Sequence, residues 1–302
     1  MADTPNSTST IVFALVANAL IALAKGAAAW ATGSTSMLAE AAHSLADCGN
    51  QGLLLLGLRA SERPADAEYP LGHGRAIYFW SFIVALMLFS MGGMFSIYEG
   101  IHKWGEGEPL ENPWIAVGVL VFSFAAESVS LWKALTQVNA VRGNQSLWRW
   151  FRETRQSELL VVVGEDIAAT AGLGFALVAV AATMLTGNPA YDALGSLAIG
   201  VLLLGVAIFV GIEVKALLVG QSTDRATREA MLHFLNARCE VAEVLHLITL
   251  QNGADVVVAV KARMADTPSA LALVDAINRC ERALRAEFPE VHWLFFEPDN
   301  HA

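Results

Sequence analysis

Cysteine, tyrosine and charge are all scarce in this chain. Its 302 residues include 3 Cys and 4 Tyr, and only 16% are charged. Cys48, Cys239 and Cys280 lie too far apart in sequence for a thiolate metal cluster or a disulfide framework, so they read as buried apolar residues, with Cys48 set beside a polar stripe by its neighbour Asp47. No HExxH pair, phosphate-cradling Walker loop, nucleophile elbow or dinucleotide fingerprint occurs, which removes the main support for an enzyme. Basic residues form no stripe with interleaved aromatics, so the net charge of −10 carries no message about nucleic acid.

Apolar residues are abundant instead. They make up 55% of the chain, and the mean hydropathy of +0.48 places it with integral membrane proteins. Six runs are long enough to cross a hydrocarbon layer of about 30 Å: residues 10–30, 37–58, 78–101, 113–138, 159–184 and 191–218. An all-α membrane domain over 10–220 is therefore expected, with a tight turn at 31–35 joining its first two spans. The flexible tail 1–9 has Asp3 and no Lys or Arg, unlike a secretory signal or a transit peptide. Arg59, Arg63 and Arg75 follow span two, and Arg142, Arg149, Arg152 and Arg155 follow span four, whereas the alternate connections offer only Lys103. The Arg-rich loops are expected on the cytoplasmic side, with both termini.

Composition changes near residues 220–224, and a soluble domain is expected over 221–302. An amphipathic helix at 225–238 is followed by a strand at 244–251, an Asn252–Gly253 hairpin turn, a strand at 255–263, a Ser-capped helix at 269–288 and a strand at 291–297. That α-β-β-α-β order resembles a small ferredoxin-like α+β domain. So small a core favours help from a second copy, and the alternative is a solubilising tail.

The informative residues are the ionisable ones inside the spans, each costing at least about 2.5 kcal/mol in hydrocarbon. On span two, Glu40, His43 or Ser44, Asp47, and Asn50 or Gln51 share one helix face. His43 and Asp47, one turn apart, suit either a borderline cation such as zinc or an interhelical hydrogen-bond pair. On span five Asp166 lies at a depth similar to that of Asp47, so two carboxylates can meet in low dielectric, where only a proton or a cation makes the meeting tolerable. Adjacent Glu165 is rotated by about 100° and is either a further ligand or faces another helix, satisfied there by Lys or water. Glu127 on span four either completes a metal shell, carries an exchanging proton or bonds across helices. Lys25 and Glu40 are expected to pair or snorkel toward the outer side, and Asp192 to cap span six.

Together, His43-Ser-Leu-Ala-Asp47 with Asn50-Gln51, Tyr69-Pro-Leu-Gly-His-Gly-Arg75, Glu127, Glu165-Asp166-Ile-Ala-Ala and Asn188-Pro-Ala-Tyr-Asp192-Ala-Leu-Gly-Ser resemble the cation diffusion facilitators. They are most similar to the branch containing the ninth human zinc transporter and its bacterial relatives. The resemblance implies six spans, a cytoplasmic ferredoxin-like domain, a homodimer in a bacterial inner membrane, and proton-coupled export of a divalent metal by alternating access. His43, Asp47 and Asp166 match three of the family's four usual ligands. The fourth position is Val162, so either Glu165, Glu127, Asn50 or water replaces the missing imidazole, or the metal is bound with a different shell. Fewer nitrogen ligands make manganese, iron or cobalt more acceptable beside zinc. The 139–156 loop lacks the His cluster of many eukaryotic members, and only His246 falls where relatives place a His in the soluble lobe. His73 reads either as a metal-receiving group at the entrance or as part of a turn. A membrane metal sensor or scaffold with a structural ion is the alternative reading. A proton-coupled carrier of organic cations would need an aromatic-lined cavity that the small residues around Asp47 and Asp166 do not offer.

Overall fold

A computed structural model describes residues 7–32, 35–106 and 113–301, with the backbone alone at residues 7, 28–29, 31–32, 35–43, 105–106 and 113. Eight helices come first: α1 (Ser7–Thr32), α2 (Thr35–Ser61), α3 (Ala76–Met87), α4 (Phe95–Glu106), α5 (Pro113–Val141), α6 (Leu147–Glu153), α7 (Ser157–Thr186) and α8 (Ala190–Val219). A π-helical turn, Leu88–Met94, joins α3 to α4 in one continuous rod. Among the described residues five stretches are long and apolar enough to cross a membrane: Thr8–Ala27, Ala76–Trp104, Trp114–Val141, Ser157–Thr186 and Ala190–Val219. The protein is thus a membrane protein. The remaining expected span coincides with α2, which has 27 residues but stands outside that apolar set. The expected turn at 31–35 is occupied in part by helix, and residues 33–34 lie outside the described residues, as does most of the 1–9 tail.

Punctuation in the sequence sets these helix ends. Pro113 opens α5, where a missing N–H costs nothing, and Gly187 closes α7 with φ of 69° while its N–H bonds the Thr183 carbonyl. Where the π turn and α4 cross α8, the backbones nearly touch. A Cβ on Gly200 would stand 3.0 Å from the Gly93 oxygen and 2.8 Å from the Ile97 nitrogen, so only glycine permits this approach.

One end of the bundle is densely filled. Leu159, Leu160, Val161, Val162 and Val163 are each at most 2% exposed and pack with Leu54, Tyr78, Val214 and Leu217. The short helix α6 was not anticipated. Ser146 caps it by accepting from the Arg149 N–H, and it lays Trp150 into this core, with Trp148 stacked on Phe209 at 5.5 Å. A seven-residue helix presents too few periods to stand out from a loop.

The lobe beyond α8 consists of α9 (Arg225–Asn236), β1 (Val241–Asn252), β2 (Asp255–Met264), α10 (Ala270–Glu287) and β3 (Val291–Pro298). Its sheet has the order β1-β2-β3, with an antiparallel first pair and a parallel second pair joined across α10. Ser269 caps α10 as expected, accepting from the Ala272 N–H. The hairpin turn falls one residue later than expected. Asn252 pairs with Asp255, and Gly253, at φ of 67°, begins the turn. Cys239 is exposed, contrary to the buried reading, whereas Cys280 is buried.

The hairpin tip is fastened to the bundle. Asn252 Nδ2 donates to the Leu71 carbonyl at 2.8 Å, and the Tyr78 hydroxyl accepts from the Gly253 N–H at 2.9 Å. Arg155 adds a bond from Nε to the Ser222 carbonyl at 2.8 Å. Gly74 faces the Asn252 carbonyl so closely that any Cβ would collide with it. Gly74→Ala is therefore expected to lever the lobe away, lowering the thermal midpoint and speeding proteolysis between α8 and α9. Tyr78→Phe, which leaves the Gly253 N–H without its acceptor, should cost about 1–3 kcal/mol. An unchanged melting curve and digestion pattern for both variants would refute this coupling.

Within the lobe, Glu240 lies between Arg238 at 3.2 Å and Arg279 at 3.1 Å. Burial opposes its charge, yet its own backbone amide, the Arg279 and Cys239 hydrogen bonds and the Arg238 charge outweigh that and hold its carboxyl down at about 2. A lowered carboxyl contributes stability above its ordinary value of 4.5 and loses it as pH falls toward 2. Melting curves of Glu240→Gln should fall below the parent's at pH 7, with the gap closing steadily from about pH 4.5 downward.

Candidate functional site

Midway along the bundle, polar side chains from four helices are sealed from water. The α7 carboxylates Glu165 and Asp166 are 6% and 2% exposed, and Glu127 on α5 is 7% exposed. Around them lie Asn50 and Gln51 of α2, Asn18 and Lys25 of α1, and Ser123 and Ser130 of α5, all buried. Helical spacing explains the grouping: Ser123, Glu127 and Ser130 lie four and three residues apart and share one face of α5, as Ser44, Asp47 and Asn50 or Gln51 share one face of α2.

Glu165 and Asp166 are held in different ways. Glu165 Oε1 accepts from Asn50 Nδ2 at 2.8 Å and its Oε2 from Gln51 Nε2 at 3.0 Å, while Gln51 Oε1 accepts from Asn18 Nδ2 at 3.3 Å. Amides, rather than the expected Lys or water, satisfy this acid, and they tie α7 to α2 and α1. Asp166 Oδ2 accepts from Ser130 Oγ at 3.1 Å, linking α7 to α5. Lys25 is buried and donates to Ser44 Oγ at 3.0 Å, so of the two expected arrangements, pairing with Glu40 or snorkelling, it does not snorkel. The side chains of Glu40 and His43 lie outside the described residues.

Asp47, Glu127, Glu165 and Asp166 all line one cavity of about 260 Å³. It follows α7 past Ala169, Leu173, Ala176 and Val180, and it reaches Glu99, Lys103 and Asp192 at the end of the bundle away from the lobe. There Lys103 bridges Glu99 at 3.1 Å and Asp192 at 3.3 Å, an ion pair between α4 and α8. Asp192 does not cap α8 as expected: Pro189 is the N-cap, without a side-chain cap bond, and Asp192 lies in the first turn with its carboxylate on Lys103. Toward the lobe, the fully buried run from Ser157 to Asp166 closes the bundle, with Ser81 Oγ donating to Ser157 Oγ at 3.0 Å. Val162 sits in that closed half at 0% exposure, an apolar residue with no donor to offer.

Among the described residues no three His, Cys, Asp or Glu side chains lie close enough together to hold a metal ion. Asp47, Asp166 and Glu127 face the same cavity without forming such a trio. Asn18, which anchors Gln51, was missed at the sequence level, although an amide inside an otherwise apolar run was the available sign.

Residues 11–219 match the cation efflux transmembrane domain, and the chain belongs to that family. It is 34% identical over 236 residues to metal tolerance protein C4 of Arabidopsis thaliana, covering 76% of this chain and 51% of that protein. It is 36% identical over 193 residues to the mitochondrial proton-coupled zinc antiporter of Homo sapiens, covering 63% of this chain and 34% of that one. The cation-efflux pump FieF of Salmonella paratyphi A is 28% identical over 291 residues, 94% of this chain and 89% of the pump. The chain spans about half the length of the plant relative and about a third of the human one. By name the human relative is an antiporter and the Salmonella one a pump.

The one-sided cavity makes a labelling prediction. In a background with the native cysteines replaced, Ala176→Cys should react readily with a membrane-impermeant maleimide added on the side away from the lobe. Val161→Cys should resist the reagent from both sides. Equal labelling of the two would show that the lobe end is not closed.

Proposed function

We propose that this protein is a proton-coupled exporter of a divalent transition metal, zinc first, with manganese, iron or cobalt as further candidates. The observation that carries the reading is the set of carboxylates brought from three helices to one cavity inside a membrane protein: Glu127 and Asp166, both buried, and Asp47, which is half-buried. Buried anions repel one another and lose their hydration, so they accept either protons or a cation, and the two compete for the same oxygens. Exchange of one for the other across alternately opened sides is antiport. The human relative's name, proton-coupled zinc antiporter, supports the same reading.

In this cycle His43, Asp47 and Asp166 bind the metal after it enters from the cytoplasm, and Glu127 and Glu165 supply proton or supporting contacts. Binding displaces protons, the helices rock, and reprotonation on the far side releases the ion. Six spans include α2, whose polar stripe is sheltered by its neighbours. Residues 10–220 form the membrane domain, and 221–302 form a cytoplasmic ferredoxin-like domain that pairs two copies into a homodimer. The surrounding bilayer is a bacterial inner membrane, with both termini cytoplasmic.

Purified protein in sealed vesicles tests the reading, with metal uptake followed while a pH gradient is imposed or collapsed. The parent should accumulate zinc when protons can flow the other way and stop when the gradient is dissipated. Asp47→Ala and Asp166→Ala should each lower the initial rate at least about 100-fold, since loss of even a supporting group at a metal site costs about 10–100-fold. Parent-like rates in either variant would remove that residue from the site. A parent that moves none of the four metals under any gradient would instead favour a membrane metal sensor.

A further inference from the structure

Among the described side chains of the α2 stripe, one buried polar atom has no hydrogen-bond partner. Asn50 is 3% exposed, its Nδ2 donates to Glu165 Oε1 at 2.8 Å, and its Oδ1 has no partner. When Glu165 is ionised the two ends of this amide are not interchangeable, because a carboxylate only accepts. The nitrogen must face Glu165, and the oxygen must face away. Glu165 is in turn held by Gln51, whose own oxygen is engaged by Asn18. Gln51 is satisfied at both ends, and Asn50 is not. A buried carbonyl oxygen left unpaired costs about 1–3 kcal/mol, a cost that a ligand would offset.

Asn50 and Asp47 are three residues apart, so they share a helix face, and together they line a small void between α2 and the π-helical turn. Met87, Leu88, Met91 and Gly92 form its other wall, together with Ala46 on α2. The acids of the main cavity do not make a three-membered metal site among the described residues, and Val162 contributes no donor. With His43, Asp47 and Asp166 as three ligands, the fourth position of the shell is open to an oxygen or nitrogen from a further residue. The unpaired amide oxygen one turn away is such a donor.

We propose that Asn50 Oδ1 is an oxygen ligand of the transported cation at Asp47, and that Glu165 is a positioning residue that aims it by accepting its amide hydrogen. The inference rests on the metal-export reading above and deepens it. A neutral oxygen in place of a neutral imidazole leaves the net charge of the shell unchanged but hardens it, which favours ions that take oxygen ligands readily. It also gives Glu165 a purpose without coordination, since both of its oxygens are already occupied by amides.

The test uses the full-length protein in lipid nanodiscs, with Zn²⁺ binding followed by calorimetry and Co²⁺ binding by its visible absorption. Asn50→Leu should weaken Zn²⁺ binding at least about 10-fold and change the position and intensity of the Co²⁺ bands. Asn50→Ser, too short to reach, serves if the Leu variant does not fold, with the same result expected. The double variant Asn50→Asp with Glu165→Gln exchanges donor and acceptor across the same bond while keeping an oxygen turned toward the cation, and it should recover most of the lost affinity. An unchanged Co²⁺ spectrum in the single variant, whatever its affinity, would overturn the proposal by reducing Asn50 to a packing role. Asp47→Ala provides the separate control. If it binds Zn²⁺ like the parent, the metal site itself is misplaced, whereas loss there with parent-like Asn50→Leu rejects the Asn50 ligand alone.

Discussion

Dehydration of carboxylates is the constraint on which the rest of the bundle depends. Glu127, Glu165 and Asp166 lie almost out of reach of water, among helices otherwise built from Ala, Gly, Leu and Val. Each acid must find a donor, a proton or a cation, because hydrocarbon supplies none. The structure answers one acid at a time. Glu165 receives two amides, Asp166 one hydroxyl, and Glu127 stands at the cavity wall. The more completely satisfied acid is the better suited to a fixed structural part, and the less completely satisfied ones are the better suited to exchange partners. That difference orders the residues more sharply than burial does, since all three are similarly buried.

The same hydrogen bonds tie the helices to one another. Glu165 links α7 to α2 through Asn50 and Gln51, and Gln51 links α2 onward to α1 through Asn18. The rod of α3, the π turn and α4 instead packs on α8, where Gly93 and Gly200 bring the backbones together. The two sets of helices also meet each other: Gly195 of α8 lies against Ala179 of α7, and Ser81 of α3 bonds Ser157 of α7. The Lys103 ion pair with Glu99 and Asp192 adds a link between α4 and α8.

Much of this was legible in the residues. Apolar runs placed the five membrane-length helices to within a few positions, because a stretch of twenty or more apolar residues has few other solutions. Acids inside those runs marked the site for the same energetic reason. What stayed hidden was local or relational. The helix α6 is too short to show a period, and the hairpin turn shifted by one residue because Asn252 spends its side chain on the Leu71 carbonyl rather than on the turn. Lys25 is buried rather than snorkelling, since nothing in its own neighbourhood in sequence announces Ser44 as its acceptor. The two amides on Glu165 were visible as neighbours on α2, yet only the fold shows that both turn to the same carboxylate.

The closed end of the bundle is also the end to which the lobe is attached, and this joins the two halves of the molecule physically. Tyr78 is fully buried in the apolar plug with Leu159 to Val163, and its hydroxyl bonds the hairpin of the lobe at Gly253. One turn further along α3, Ser81 bonds Ser157 at the start of α7, nine residues before Asp166. A displacement of the hairpin therefore reaches the first turn of α7 through two side chains on a single helix face. Helices are stiff over such a distance, so the start of α7 cannot tilt without carrying its carboxylates along. Opening the plug toward the lobe would require either that the hairpin follow α3 or that the Tyr78 bond break. The lobe is thus mechanically coupled to the closed end of the bundle.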